Sequence, residues 1–157
     1  MYKQVEIKIL DGRASVPSYG TIGSAGLDLK AMLDAVDSRD GKVLLPNTSH
    51  MIGTGIAVNM MDKGMAAVIL PRSGLGSKGL ILGNSVGLID SDYQGELKIC
   101  MWNRTNETKY ISQGDRIAQL VFVPIIHADF KVVEEFGETT IRGTGGFGST
   151  GISGPLP

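Results

Sequence analysis

Apolar residues recur along this chain at every second position or in short unbroken runs, and almost every run is closed by Gly, Pro, Asn or Asp. That spacing is the period of a strand. Val5, Ile7 and Ile9 alternate with polar neighbours. Further β-compatible runs cover residues 43–45, 51–58, 65–70, 117–123 and 130–133. Over residues 96–102, Leu97, Ile99 and Met101 share one face, and Lys98, Cys100 and Trp102 share the other. The pattern predicts an all-β domain, a sandwich or a barrel. A short helical turn is expected around residues 29–37 or 60–64. Residues 142–157, RGTGGFGSTGISGPLP, hold few apolar anchors and read as a mobile Gly-rich tail. The expected organisation is one β domain over residues 1–141 and an arm over 142–157.

Composition narrows the classes. A chain of 157 residues can bury a core without disulfides or metal. Its 22 glycines fit many tight turns between short strands. Fifteen basic residues stand against 16 acidic ones, which argues against a non-specific nucleic-acid binder. No apolar run is long enough to span a bilayer. Cys100 is the one cysteine, so no intramolecular disulfide forms, and it is expected in or near a core. His50 and His127 have no partners at ligand spacing, so no zinc site is expected. The start, MYKQVEIKIL, lacks a secretory pattern, and the expected compartment is the cytoplasm. The sequons at Asn47, Asn103 and Asn106 then read as chance matches.

The chemistry concentrates in residues 70–97, LPRSGLGSKGLILGNSVGLIDSDYQGEL. Arg72 and Ser73 open a Gly-rich loop, and backbone N–H groups, a hydroxyl and a guanidinium can hold anionic oxygens. Asp90 can take a proton from water. Tyr93 can pack on a sugar or base. The Gly-Leu-Ile before Asp90 and the Tyr-Gln-Gly after it suggest a hairpin with the carboxylate at its tip. Residues 114–116 read as an ordinary turn. Each feature alone is also compatible with a solvated turn. Two G-x-G-x-x-G matches, at Gly74, Gly76 and Gly79 and at Gly143, Gly145 and Gly148, lack the following helix that a dinucleotide site needs. No Walker A pattern is present.

Five ordered segments resemble the motifs of the trimeric dUTPase (deoxyuridine triphosphate nucleotidohydrolase) family. They are AGLDLKA at 25–31, PRSGLGSKG at 71–79, GNSVGLIDSDYQGEL at 83–97, GDRIAQ at 114–119 and RGTGGFGSTG at 142–151. The resemblance implies a jelly-roll β fold and a homotrimer whose active sites lie between subunits, closed by the C-terminal arm of a neighbour. It implies hydrolysis of dUTP to dUMP and pyrophosphate by water attack on the α-phosphorus. That reaction limits uracil incorporation into DNA and supplies dUMP for dTMP synthesis. Asp90 would orient and activate the water. Asn84, with backbone groups around Gly87 and Lys98, would read the uracil edge, and Tyr93 would pack on the deoxyribose. Arg72, Ser73, Gly74 and Gln119 would hold phosphate oxygens. From the arm, Arg142 would reach the γ-phosphate, Phe147 would stack on uracil, and Gly148, Ser149 and Thr150 would close on the phosphates. Mg²⁺ would bridge the phosphates, with Asp28 meeting it only through water. No nucleic-acid or membrane partner is implied. Gln94 stands where many members carry Arg, and residues 152–157 have no assigned role.

Two other readings compete. A dCTP deaminase shares the fold but needs a catalytic glutamate and an Arg-Ser-Ser run in place of Arg72-Ser73-Gly74. A non-catalytic regulatory trimer would have no use for Asp90, Arg72 and Arg142 together.

Overall fold

The computed structural model describes residues 3–146. The chain divides into two compact units, Met1–His127 and Ala128–Pro157.

The first unit is nearly all β. Its first sheet has the order β1–β4–β8–β6, from β1 (Glu6–Ile9), β4 (Ser49–Asn59), β8 (Glu96–Asn103) and β6 (Leu80–Leu82). The second has the order β2–β10–β5–β7, from β2 (Leu27–Lys30), β10 (Arg116–Pro124), β5 (Met65–Pro71) and β7 (Gly87–Ile89). A small pair joins β3 (Lys42–Leu44) to β9 (Lys109–Ile111). All pairings in both large sheets are antiparallel.

Alternation decides which faces meet. Leu97, Ile99 and Met101 are buried, and with Ile52, Ile56 and Leu82 they form the inner face of the first sheet. Leu29, Ala67, Ile69, Ala118 and Leu120 form the opposing face, and all belong to one apolar cluster. The architecture is a β-sandwich, as the strand pattern predicts, and of the jelly-roll type that the family resemblance implies. Where β4 slips against β8 between Gly53 and Ala57, the freed polar groups find partners. The buried Thr54 hydroxyl donates to the Leu97 carbonyl at 2.7 Å, and Gly55 N–H donates to Glu96 Oε1 at 3.0 Å. Asn103 is wholly buried. Its amide donates to the carbonyls of Leu44 at 2.9 Å and Glu107 at 2.7 Å, and its oxygen accepts from Thr105.

Three sequence expectations change. Residues 29–37 do not form a helix: Leu27–Lys30 is strand, and a four-residue turn of helix, α1 (Asp37–Asp40), follows later. Residues 60–64 are a loop closed by Asp62, whose carboxylate accepts from Gly64 N–H at 2.8 Å. Residues 130–133 form no strand; Phe130 is 89% and Val132 94% exposed, and no strand among the described residues pairs with them. Three strands too short to announce themselves, β6, β7 and β9, appear instead.

Candidate active site

Three strands of the second sheet bring one group of residues together. In the middle of β10, Gln119 stands opposite Asp28 of β2 on one side and Leu70 of β5 on the other. Ala118 stands opposite Pro71, so Arg72 leaves β5 beside the same spot. Arg72 Nε approaches Asp28 Oδ1 to 2.9 Å, and Arg72 Nη1 donates to the carbonyl of Arg116 at 3.1 Å. Arg116 Nη1 donates to Asp28 Oδ2 at 3.1 Å. The Nε–Oδ1 contact is short but off the line of a hydrogen bond, so both atoms are buried without an aligned partner. Asp28 is thus flanked by two guanidinium groups.

Beyond Arg72 the chain makes one helical turn, α2 (Ser73–Gly76). Arg72 is extended, and its carbonyl accepts from Leu75 N–H at 3.1 Å and Gly76 N–H at 2.8 Å. Ser73 and Gly74 are exposed at the outer edge of this turn, and open space surrounds the position a Gly74 Cβ would take. Asp28, Arg72, Ser73, Gly74 and Gln119 therefore share one end of the second sheet.

A second group gathers elsewhere. Asn84, Gly87 and Lys98 line a cleft of about 110 Å³ with Ile69 and Cys100. The turn that presents Asn84 holds Ser85 at φ 62°, an uncommon conformation for a residue with a side chain. Glycines flank it for steric reasons. A Cβ on Gly83 would lie 2.8 Å from Cys100 Sγ, and one on Gly87 would lie 3.2 Å from Ile69 Cβ. Cys100 is half-buried and forms a wall of this cleft, not the centre of the core.

Asp90 and Tyr93 lie on the connection from β7 to β8. This is not a hairpin: among the described residues β7 pairs only with β5, and β8 pairs with β4 and β6, so the segment crosses from one sheet to the other. Asp90 is exposed, and its carbonyl accepts from Tyr93 N–H at 3.2 Å. The Tyr93 hydroxyl donates to the Glu96 carbonyl at 3.0 Å, which lays the ring over Gly95; a Cβ there would meet the hydroxyl at 2.5 Å.

Register sets the distance between the groups. Ile89 stands opposite Ala67, so Asp90 leaves the sheet near residue 66. Arg72 leaves β5 at its other end. At the strand rise the two lie roughly 20 Å apart along β5. Within one chain, Asp90 and the Arg72 loop therefore stand apart.

Arg142 belongs to the second unit, where it is exposed and its Nε donates to the Gly145 carbonyl at 3.0 Å. Phe147, Gly148, Ser149 and Thr150 lie outside the described residues. Sequence reasoning missed Arg116, which it took for part of a plain turn. Its neighbours do make that turn, with Gly114 at φ 81° and Asp115 Oδ2 accepting from Ser112 N–H at 2.8 Å.

Among the described residues, no three His, Cys, Asp or Glu side chains gather as a ligand set, and no helix is long and apolar enough to cross a membrane. The dUTPase family profile matches residues 12–151. The chain belongs to the dUTPase family. A deoxyuridine 5'-triphosphate nucleotidohydrolase from Tolumonas auensis is 54% identical over 154 residues, spanning 95% of this chain and 98% of its own. The enzyme of the same name from Histophilus somni is 53% identical over the same shares of both chains. In three dimensions the fold is similar to the dUTPase of Staphylococcus bacteriophage 80alpha solved with dUPNHPP. The TM-score is 0.84 at 30% identity, over 96% of this chain and 100% of that one. It is also similar to a mutant dUTPase of the S. aureus phage phi11, whose structure describes the coordination of a structural Mg(II) ion (TM-score 0.73, 27% identity, 87% and 100% covered).

Proposed function

We propose that this chain hydrolyses dUTP to dUMP and pyrophosphate, in an active site completed between copies of a homotrimer. The observation that carries the reading is the split site. The residues suited to phosphate and the carboxylate suited to the attacking water are both present in this dUTPase chain, at opposite ends of β5, with the base cleft beside Ile69 between them. A neighbouring copy supplies Asp90, Tyr93 and the base cleft to the Arg72 loop. The dUTP analogue in the phage 80alpha dUTPase supports the substrate. A nucleotide substrate is also consistent with a cytoplasmic location.

Asp90 holds the attacking water and takes its proton. Being exposed at a chain crossing, it can face a second copy. Asn84 and the backbone at Gly87 and Lys98 present fixed donors and acceptors to the uracil edge. A wrong base leaves such groups unpaired in a narrow cleft. Tyr93 is held by its hydroxyl, so the ring can bear on the deoxyribose without reorganising. Arg72 and Gln119, with Ser73 and Gly74 on the exposed turn, neutralise phosphate oxygens as charge moves to the leaving group. Residues 142–157 act as an arm that closes over the site, with Arg142 on the γ-phosphate, Phe147 on the uracil, and Gly148, Ser149 and Thr150 on the phosphates.

The donor set fits a loosely held Mg²⁺. Asp28 offers one carboxylate, already flanked by two guanidinium groups, and one of its oxygens lacks an aligned partner. That suits contact through a metal-bound water, because Mg²⁺ keeps several waters and takes substrate phosphates. When bound, the ion supplies charge neutralisation of the triphosphate.

The test measures pyrophosphate and ammonia from dUTP, dCTP and UTP with Mg²⁺. Pyrophosphate from dUTP alone is expected. Ammonia from dCTP would establish a deaminase, and no product from any of the three would remove the enzymatic reading. Asp90→Asn is expected to lower turnover by roughly 10²–10⁴-fold while a non-hydrolysable dUTP analogue still binds.

A further inference from the structure

An extra residue in β10 turns Arg116 toward Asp28. The pairing of β10 with β2 runs Leu120 to Leu27, Gln119 to Asp28 and Ala118 to Leu29. It then slips, so that Arg116 stands opposite Lys30. In an unbroken strand, positions 116, 118 and 120 would all point into the core. Ala118 and Leu120 do. The slip seats Ile117 in the core as well, at 1% exposure, and swings residue 116 onto the face that carries Gln119 and Asp28.

There Arg116 holds both members of the Arg72–Asp28 pair. Its Nη1 donates to Asp28 Oδ2 at 3.1 Å, and its backbone carbonyl accepts from Arg72 Nη1 at 3.1 Å. The direct contact between Arg72 and Asp28 is too poorly aligned to fix the guanidinium alone. The Arg116 side chain is 55% exposed, and ion pairs of that exposure add little to stability. Orientation of Arg72 is the effect left for it to have. Resting on the dUTP reading above, we propose that Arg116 is a positioning residue for phosphate recognition. By gripping Asp28 with its side chain and Arg72 with its carbonyl, it sets the Arg72 guanidinium toward the polyphosphate.

The test compares the wild type with Arg116→Gln, Arg72→Ala and the double variant. It reads kcat, KM for dUTP, affinity for α,β-imido-dUTP, and inhibition by deoxyuridine, which has no phosphate. Arg116→Gln is expected to weaken analogue affinity and raise KM by roughly tenfold, with kcat held within about threefold. Deoxyuridine inhibition should stay unchanged. In the Arg72→Ala background, adding Arg116→Gln should cost nothing further, since it acts through Arg72. Wild-type analogue affinity, an equal loss for deoxyuridine, or full additivity would each overturn the role. If Arg116→Gln does not fold, Arg116→Lys carries the test. It keeps the charge without the planar fork and is expected to lose about threefold in analogue affinity; no loss overturns the proposal. A wild type that hydrolyses dUTP beside an insensitive Arg116 variant rejects the positioning role alone. A wild type that neither hydrolyses dUTP nor binds the analogue rejects both.

Discussion

Arg13 and Asp11 show how much one pair can fix at the end of a strand. Arg13 Nε and Nη2 donate to the two Asp11 oxygens at 3.0 and 2.7 Å, Arg13 N–H donates to Asp11 Oδ1 at 2.9 Å, and Nη2 also reaches the Leu33 carbonyl at 3.0 Å. The Arg13 side-chain hydrogen bonds hold the Asp11 carboxyl down to about 2, from an ordinary value of 3.8. A depressed folded pKa stabilises above the unfolded value and loses that stabilisation as pH falls through the folded one. The effect of this pair is therefore present above about pH 4 and fades toward pH 2. Arg13→Ala should return the Asp11 carboxyl toward 3.8 in an NMR titration, and its stability deficit should vanish in acid. At this scale the sequence named Asp28, Arg72 and Gln119 through motif resemblance, and the strands do bring them together. Arg116 stayed hidden because a bulge changes the facing of a side chain, and no periodicity in GDRIAQ announces a bulge.

Strands were legible where they were long. Over eight residues of β8, Leu97, Ile99 and Met101 repeat on one face often enough to be unmistakable, and all three are buried. Ile99→Ala should lower unfolding free energy by about 2–5 kcal/mol, the usual cost of a core cavity, measured by denaturant titration. Strands of three residues, such as β6 and β7, are too brief to show a period. Residues 130–133 have the alternation of a strand, but alternation without a partner ladder makes no sheet. The misread hairpin at Asp90 has a related cause. Neighbours in sequence usually pair, and nothing in the residues says that β7 stays with β5 while β8 joins β4. Because β7 runs antiparallel to β5 and leaves it near residue 66, Asp90 stands clear of its own Arg72 loop.

For the whole molecule, that separation is open to direct test. If each site draws Arg72 from one copy and Asp90 from another, two dead variants can complement. Mixed trimers of Arg72→Ala and Asp90→Asn, co-refolded in equal amounts, should recover roughly a quarter of wild-type activity, the fraction of interfaces pairing two intact halves. Activity no greater than that of the separate variants would place the whole site within one copy. The all-β class could be read from the chain alone, whereas sharing between copies came first from resemblance and then gained support from the β5 register.

If the site is shared as proposed, the span of β5 between Asp90 and Arg72 also governs when a newly made chain becomes competent. On the shared-site proposal, a solitary copy, however well folded, is inert toward nucleotide. Catalytic output therefore rises with protein concentration faster than in simple proportion when subunits are scarce. A chain spoiled at both ends of that strand would silence two crevices of any assembly it joined, its own fault reaching into a healthy neighbour.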